Sequence, residues 1–354
     1  LVGAPPSAIG KFGGDTDNWM WPRHTGDFSM FRVYTGPDGE PAEYAKENVP
    51  FKPKWYFNVS LDGVKQGDFS MVMGCPGSTD RFLSSQGVKL ALDTEQPSRV
   101  KIRGRKLDLM KEDMDASDAV RIKYAAKYAQ VSNYWKYFIG QQRGLKRLHV
   151  YDKKKQLESD LSAWINADAG RKAKYGAYLS ELETGYAERA KVEEASTYMQ
   201  EAAFGSEATL MGVRMFGLYN QLKTDPKDAA KVAAGAARVQ GRMMSMWQDY
   251  NPATDQKITA EMFRLIGTDV DPSMQPTFIQ DVVKKKFKGD YEAWAAAMFK
   301  TSILADSAKL NKFLAKPSAK VLEKDLGFQA AKSSLELLQG PIGSSVGVAQ
   351  LKID

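Results

Sequence analysis

Sulfur and imidazole are scarce in this chain of 354 residues, which holds one cysteine, Cys75, and two histidines, His24 and His149. One cysteine excludes a disulfide within these residues, and two distant histidines supply no Cys/His cluster with metal-ligand spacing. The acidic run Lys111-Glu-Asp-Met-Asp115 has no neighbouring His or Cys and lacks calcium-loop spacing. It reads as a charged helix face or a cap. No metal and no organic cofactor is expected. Apolar runs are only a few residues long, which argues against a transmembrane helix. Leu1-Val-Gly-Ala-Pro-Pro6 is too short for a signal peptide and lacks its basic start.

What is present suits a folded, water-compatible chain. Hydrophobic residues make up 43% and charged residues 26%, close to globular averages, and the length suffices for two or three domains. Lys and Arg number 50 against 43 Asp and Glu, a net charge of +7. The basic clusters Lys101–Lys106, Lys153–Lys155 and Lys284–Lys286 lie in segments that also carry Glu and Asp. Solvated helix faces account for them, and nucleic acid is not an expected partner, because no concentrated basic patch is interleaved with stacking aromatics. The positive balance is suited to anionic substrates or a negatively charged envelope surface.

Hydrophobic periodicity divides the chain. Residues 1–90 read as short strands closed by Gly and Pro turns: Phe28–Tyr34 ended by Thr35-Gly-Pro-Asp-Gly39, then Trp55–Ser60, then Phe69–Gly74 returning through Arg81–Ser84. From about Pro97 the period becomes helical. Val120, Tyr124, Tyr128, Val131, Trp135 and Phe138 form an apolar stripe. Further helices are expected around Leu157–Ile165 and Tyr175–Tyr186, and after Thr224-Asp-Pro226, read as a cap with Pro in the first turn. Asn251-Pro, Asp271-Pro and Lys316-Pro break the chain, and no repeat period appears. An irregular all-α domain is expected over residues 91–354.

Residues 13–28, GGDTDNWMWPRHTGDF, concentrate two Trp, one His, three Asp, an Asn and three Gly ahead of an alternating segment. Such a composition at the start of a strand reads as a ligand-facing loop. The run resembles, nearly residue for residue, a loop of the bacterial dipeptidyl peptidases seven and eleven. These are chymotrypsin-like serine exopeptidases with a large inserted helical domain. The resemblance implies that Asp27 is the Asp of a Ser-His-Asp triad, and that Asn18 and Trp19 hold the free amino terminus of the substrate. An Asn carbonyl accepts from an ammonium, and an indole adds a flat wall. His24 and Arg23, beside the Asp, take no catalytic role by this pattern.

The fold implied is α+β: part of a chymotrypsin-like double β-barrel over residues 1–90, then the cleft-covering helical domain over 91–354; the switch in composition near 84–97 suggests a hinge there. The function implied is a serine-type dipeptidyl aminopeptidase that releases dipeptides from the free amino terminus of oligopeptides. A homodimer in the bacterial periplasm or cell envelope accompanies it. In the chymotrypsin order the triad His precedes the Asp, so it would lie ahead of Leu1. The stretch nearest to a nucleophile loop, Gly340-Pro-Ile-Gly-Ser-Ser-Val-Gly347, is read as lacking the required spacing, and the Ser is expected outside this chain. The chain therefore reads as an internal fragment, inactive alone. The alternatives are a non-catalytic peptide-binding or scaffold module, and a helical binder of nucleic acid or membrane surface.

Overall fold

The computed structural model describes residues 1–14, 20, 22, 24–71, 74–75 and 79–353. They divide into two compact units, residues 1–82 and residues 83–354.

In the first unit, helix α1 (Ser7–Gly10) follows an isolated antiparallel bridge between Gly3 and Met30. The Met30 N–H donates to the Gly3 carbonyl at 2.8 Å. Strands β1 (Tyr34–Thr35) and β2 (Val49–Pro50) pair antiparallel, with Tyr34 opposite Pro50 and Thr35 opposite Val49. After β1 the chain turns through Gly39, whose φ of 87° is a left-handed conformation open to glycine. Its N–H donates to the Gly36 carbonyl at 2.9 Å.

The double β-barrel is not there: among the described residues β1 and β2 form one two-stranded sheet, and the chain is mostly all-α. A strand exists only where a second strand takes up its N–H and C=O groups. The segment Trp55–Ser60 alternates as a strand should, yet among the described residues it has no strand partner, and Trp55 and Phe57 stand 90% and 92% exposed. Phe28, Phe31 and Val33 are likewise exposed. Alternation marked extended backbone without marking a buried face.

The second unit opens with α2 (Ser85–Leu90), capped by the Ser84 side chain, earlier than the helical period suggests. A π-helical turn, Ala91–Glu95, runs it into α3 (Gln96–Ala116) without a break. Ser117 caps α4 (Asp118–Arg147), whose stripe buries Tyr124 and Phe138. His149, in left-handed backbone at φ 50°, separates α4 from α5 (Val150–Asn166). Then follow α6 (Ala169–Tyr175) and α7 (Tyr178–Tyr198), which continues through a second π turn at Met199–Ala203. After α8 (Glu207–Arg214) and α9 (Phe216–Thr224) comes α10 (Ala229–Gln248). The cap of α10 is Asp228, which accepts from the Lys231 N–H; Thr224 belongs to the end of α9. Asn251 caps α11 (Pro252–Asp269) with Pro252 in its first turn. The remainder is α12 (Lys285–Phe287), α13 (Tyr291–Thr301), α14 (Ser307–Ala315), α15 (Ala319–Lys324), α16 (Leu326–Leu337) and α17 (Gly343–Ile353). Pro341 has no N–H to give, and it sits in the π turn Leu338–Ile342 that joins the last two helices.

One core serves this unit. Trp294 on α13 lies edge-on against Phe263 at 4.8 Å and Phe278 at 5.4 Å, and methionines such as Met110, Met199, Met211 and Met262 fill the space between helices. Helices α8 and α16 pack closely where Gly212 meets Ala331: a Cβ on Gly212 would stand 2.5 Å from that of Ala331.

Candidate functional site

The loop that carries the sequence signal is tied to the chain ahead of it by its glycine and threonine. The Gly26 N–H donates to the Ile9 carbonyl at 3.1 Å, and the Thr25 hydroxyl donates to the Phe12 carbonyl at 3.1 Å. A Cβ on Gly26 would stand 3.1 Å from the Ile9 side chain, so the close approach favours glycine. These contacts set Asp27 at the end of the loop, exposed, with no hydrogen bond or ion pair to another described residue. His24 is exposed beside it. Asn18 and Trp19, with Arg23, lie outside the described residues.

Contrary to the expectation from its sequence, the stretch Gly343-Ser-Ser-Val-Gly347 does meet the Gly-x-Ser-x-Gly spacing. The structure removes it on conformation instead. It forms the start of α17, and the Ser345 hydroxyl donates back to the Pro341 carbonyl at 3.0 Å. A nucleophile elbow needs its Ser on a sharp strand-to-helix turn. His149 is exposed at the junction of α4 and α5, with Nδ1 3.3 Å from Asp152. In the acidic run of α3, Lys111 holds Asp115, while Lys257 and Thr254 hold Asp113. Among the described residues no group of three or more His, Cys, Asp or Glu is placed to hold a metal.

Two of the hollows in the second unit are lined by polar side chains. One, of about 330 Å³, lies between α2, α5 and α7 and is lined by Ser84, Lys155, Glu158, Ser162 and Glu183. Glu158 is spent there on structure: it accepts from the Ser85 N–H at 2.6 Å and the Ser85 hydroxyl at 2.7 Å. The other, of about 400 Å³, is walled by Trp135, Lys101, Arg105, Arg264 and Asp269. Its cations are already engaged: Lys101 by Asp269 at 2.7 Å, Arg105 by Glu261 at 2.9 Å, and Arg264 by Glu261 at 2.7 Å. An anion entering it would have to displace these carboxylates.

A buried polar network also joins α3, α4, α8 and α11, and sequence reasoning missed it. The Asp255 carboxylate accepts from the Glu207 and Ala208 N–H groups, each at 2.8 Å, at the start of α8, and from the Tyr250 hydroxyl at 3.1 Å. Glu207 accepts from Lys127 at 2.8 Å and from the Tyr124 hydroxyl at 3.1 Å. The half-buried Lys106 donates to the Gly205 carbonyl. Burial and the Glu207 charge push the Asp255 carboxyl up to about 6, burial pushes the Lys106 ammonium down, and burial raises the Tyr124 and Tyr250 hydroxyls. Neither described hollow is lined by Asp255. Its hydrogen bonds join α11 to the start of α8.

Residues 1–336 match the peptidase S46 family. Dipeptidyl-peptidase 7 of Porphyromonas gingivalis is 42% identical over 337 residues, which cover 94% of this chain and 46% of that protein. The Asp/Glu-specific dipeptidyl-peptidase of Flavobacterium psychrophilum is 36% identical over 361 residues, 100% of this chain and 49% of that one. The crystal structure of Porphyromonas endodontalis DPP11 in complex with the dipeptide Arg-Glu is similar at a TM-score of 0.76 and 29% identity, covering 99% of this chain and 50% of that one. The chain spans about half the length of the curated relatives it matches.

Proposed function

The chain belongs to the peptidase S46 family, and from that membership we propose that the whole protein is a serine-type dipeptidyl aminopeptidase, releasing dipeptides from the free amino terminus of oligopeptides. The observation that carries the proposal is the similarity across nearly the whole chain to proteins named dipeptidyl-peptidases. In this reading a Ser attacks the second peptide bond, a His takes its proton, and Asp27 orients that His and stabilises the imidazolium. Asp27 lies exposed at the end of the loop and accepts from no described residue. Asn18 and Trp19 hold the substrate ammonium two residues from the cut, so the product is a dipeptide.

Both a homodimer and a location in the bacterial periplasm or cell envelope belong to the same proposal and rest on the resemblance alone. The test of the site is Asp27→Ala in the intact protein. The expected outcome is a fall in kcat of roughly 10⁴-fold with KM little changed, the scale seen when a triad carboxylate is lost. Undiminished kcat would remove Asp27 from the machinery.

A further inference from the structure

One part of the second unit is built as a surface without an interior. Helix α6 has no buried residue, although it packs against α5. Between residues 164 and 178 the charged side chains are Arg171, Lys172 and Lys174 against Asp168, and Glu181 follows in the first turn of α7. The Asp168 side chain is occupied in capping: it accepts from the Arg171 N–H at 2.8 Å. The Arg171 guanidinium also lies 3.8 Å from the Asp168 carboxylate, whereas Lys172 and Lys174 form no ion pair with a described residue.

The same tip carries aromatic rings. Trp164 at the end of α5, Tyr175 at the end of α6 and Tyr178 at the start of α7 are 49%, 39% and 48% exposed. Trp164 and Tyr175 lie 6.1 Å apart, the Arg171 guanidinium sits 4.4 Å above the Trp164 ring, and the Lys174 ammonium sits 5.0 Å from the Tyr175 ring centre. Three half-exposed rings with cations laid over two of them contribute little to a core. Rings of this kind, apolar in body and polar at one edge, partition to the boundary between lipid tails and water, and Lys and Arg beside them meet anionic headgroups.

We propose that this tip, made of the end of α5, helix α6 and the start of α7, docks on an anionic lipid surface. The charge complementarity selects the occupant. The cations ride on ring faces and flexible stems and are not clamped into a fork, an arrangement suited to a diffuse layer of phosphates more than to one fixed carboxylate. Docking of this sort is shallow and reversible. It is consistent with the absence, among the described residues, of a helix long and apolar enough to cross a membrane.

The experiment is co-sedimentation of the intact protein with vesicles of phosphatidylglycerol and phosphatidylcholine, against vesicles of phosphatidylcholine alone. Binding to the anionic vesicles only, weakened by salt, is expected. The triple variant Arg171→Ala/Lys172→Ala/Lys174→Ala should bind at least about tenfold more weakly, since each cation near such a surface contributes a factor of about five. Trp164→Ala should weaken binding with the charges intact. Because α6 buries nothing, circular dichroism of the triple variant should match the native protein. Equal binding to both vesicle types, or an unaltered triple variant, overturns the proposal. Retention on immobilised polyglutamate without vesicle binding overturns it too, and assigns the tip to an acidic polypeptide.

Discussion

Asp255 shows how much a single buried carboxylate can fix. It satisfies two N–H groups at the start of α8 that no intrahelical carbonyl can reach, and it does so from the first turn of α11. Replacing it by Asn turns an amide NH₂ toward those donors. Asp255→Asn is therefore expected to lose about 1–3 kcal/mol of stability in urea denaturation at pH 7. The pH dependence has a definite sign. The folded protein holds the Asp255 proton up to about pH 6, above the ordinary value of 3.8. The group thus adds stability below about pH 3.8, and this contribution is lost as pH rises through about 6. The stability gap between the native protein and the variant should be widest near pH 4 and narrow by pH 6.5. A gap independent of pH would contradict the assignment. His149 is a second case. Its φ of 50° costs a side chain with a Cβ roughly 1 kcal/mol. His149→Gly should raise stability by about 0.5 kcal/mol once the added freedom of the unfolded chain is counted. A loss of stability would show that the contact with Asp152 matters more.

Among the elements, the crossing of α8 and α16 is set by glycine. A methyl at Gly212 would meet the Ala331 methyl at 2.5 Å, and neither belongs to a flexible side chain that can swing away. Gly212→Ala should cost about 1–3 kcal/mol and lower Tm by several degrees in a thermal melt; an unchanged Tm would mean that the two helices slide apart freely. The helices themselves were largely legible. The stripe from Val120 to Phe138 lies along α4, and Asn251-Pro252 opens α11 as its chemistry demands. Two kinds of information were not. Caps compete locally: Thr224-Asp-Pro226 looked like a start, but Asp228 is the residue whose side chain reaches the free N–H groups. Strand pairing is not local at all, so Trp55–Ser60 could be read as extended but not as paired. For the same reason nothing in the sequence marks Asp255, whose partners at Glu207 and Ala208 are distant along the chain. In the loop at residues 13–28, composition marked a ligand-facing segment and the resemblance to the dipeptidyl peptidases singled out Asp27; the structure adds the Gly26 and Thr25 contacts beside it.

At the level of the molecule, the chain is two units of different character: a loop-rich one that carries Asp27, and a helical one with a single core. It belongs to the peptidase S46 family and covers about half the length of relatives named dipeptidyl-peptidases. The reading that joins these facts is amino-terminal dipeptide release, with specificity resting on recognition of a free ammonium. The most direct measurement supplies the intact protein with one oligopeptide bearing either a free or an acetylated amino terminus, and follows the fragments by mass. Dipeptides from the free peptide alone, abolished by Asp27→Ala, are the expected result. Cleavage of both peptides alike, or of neither, would contradict it.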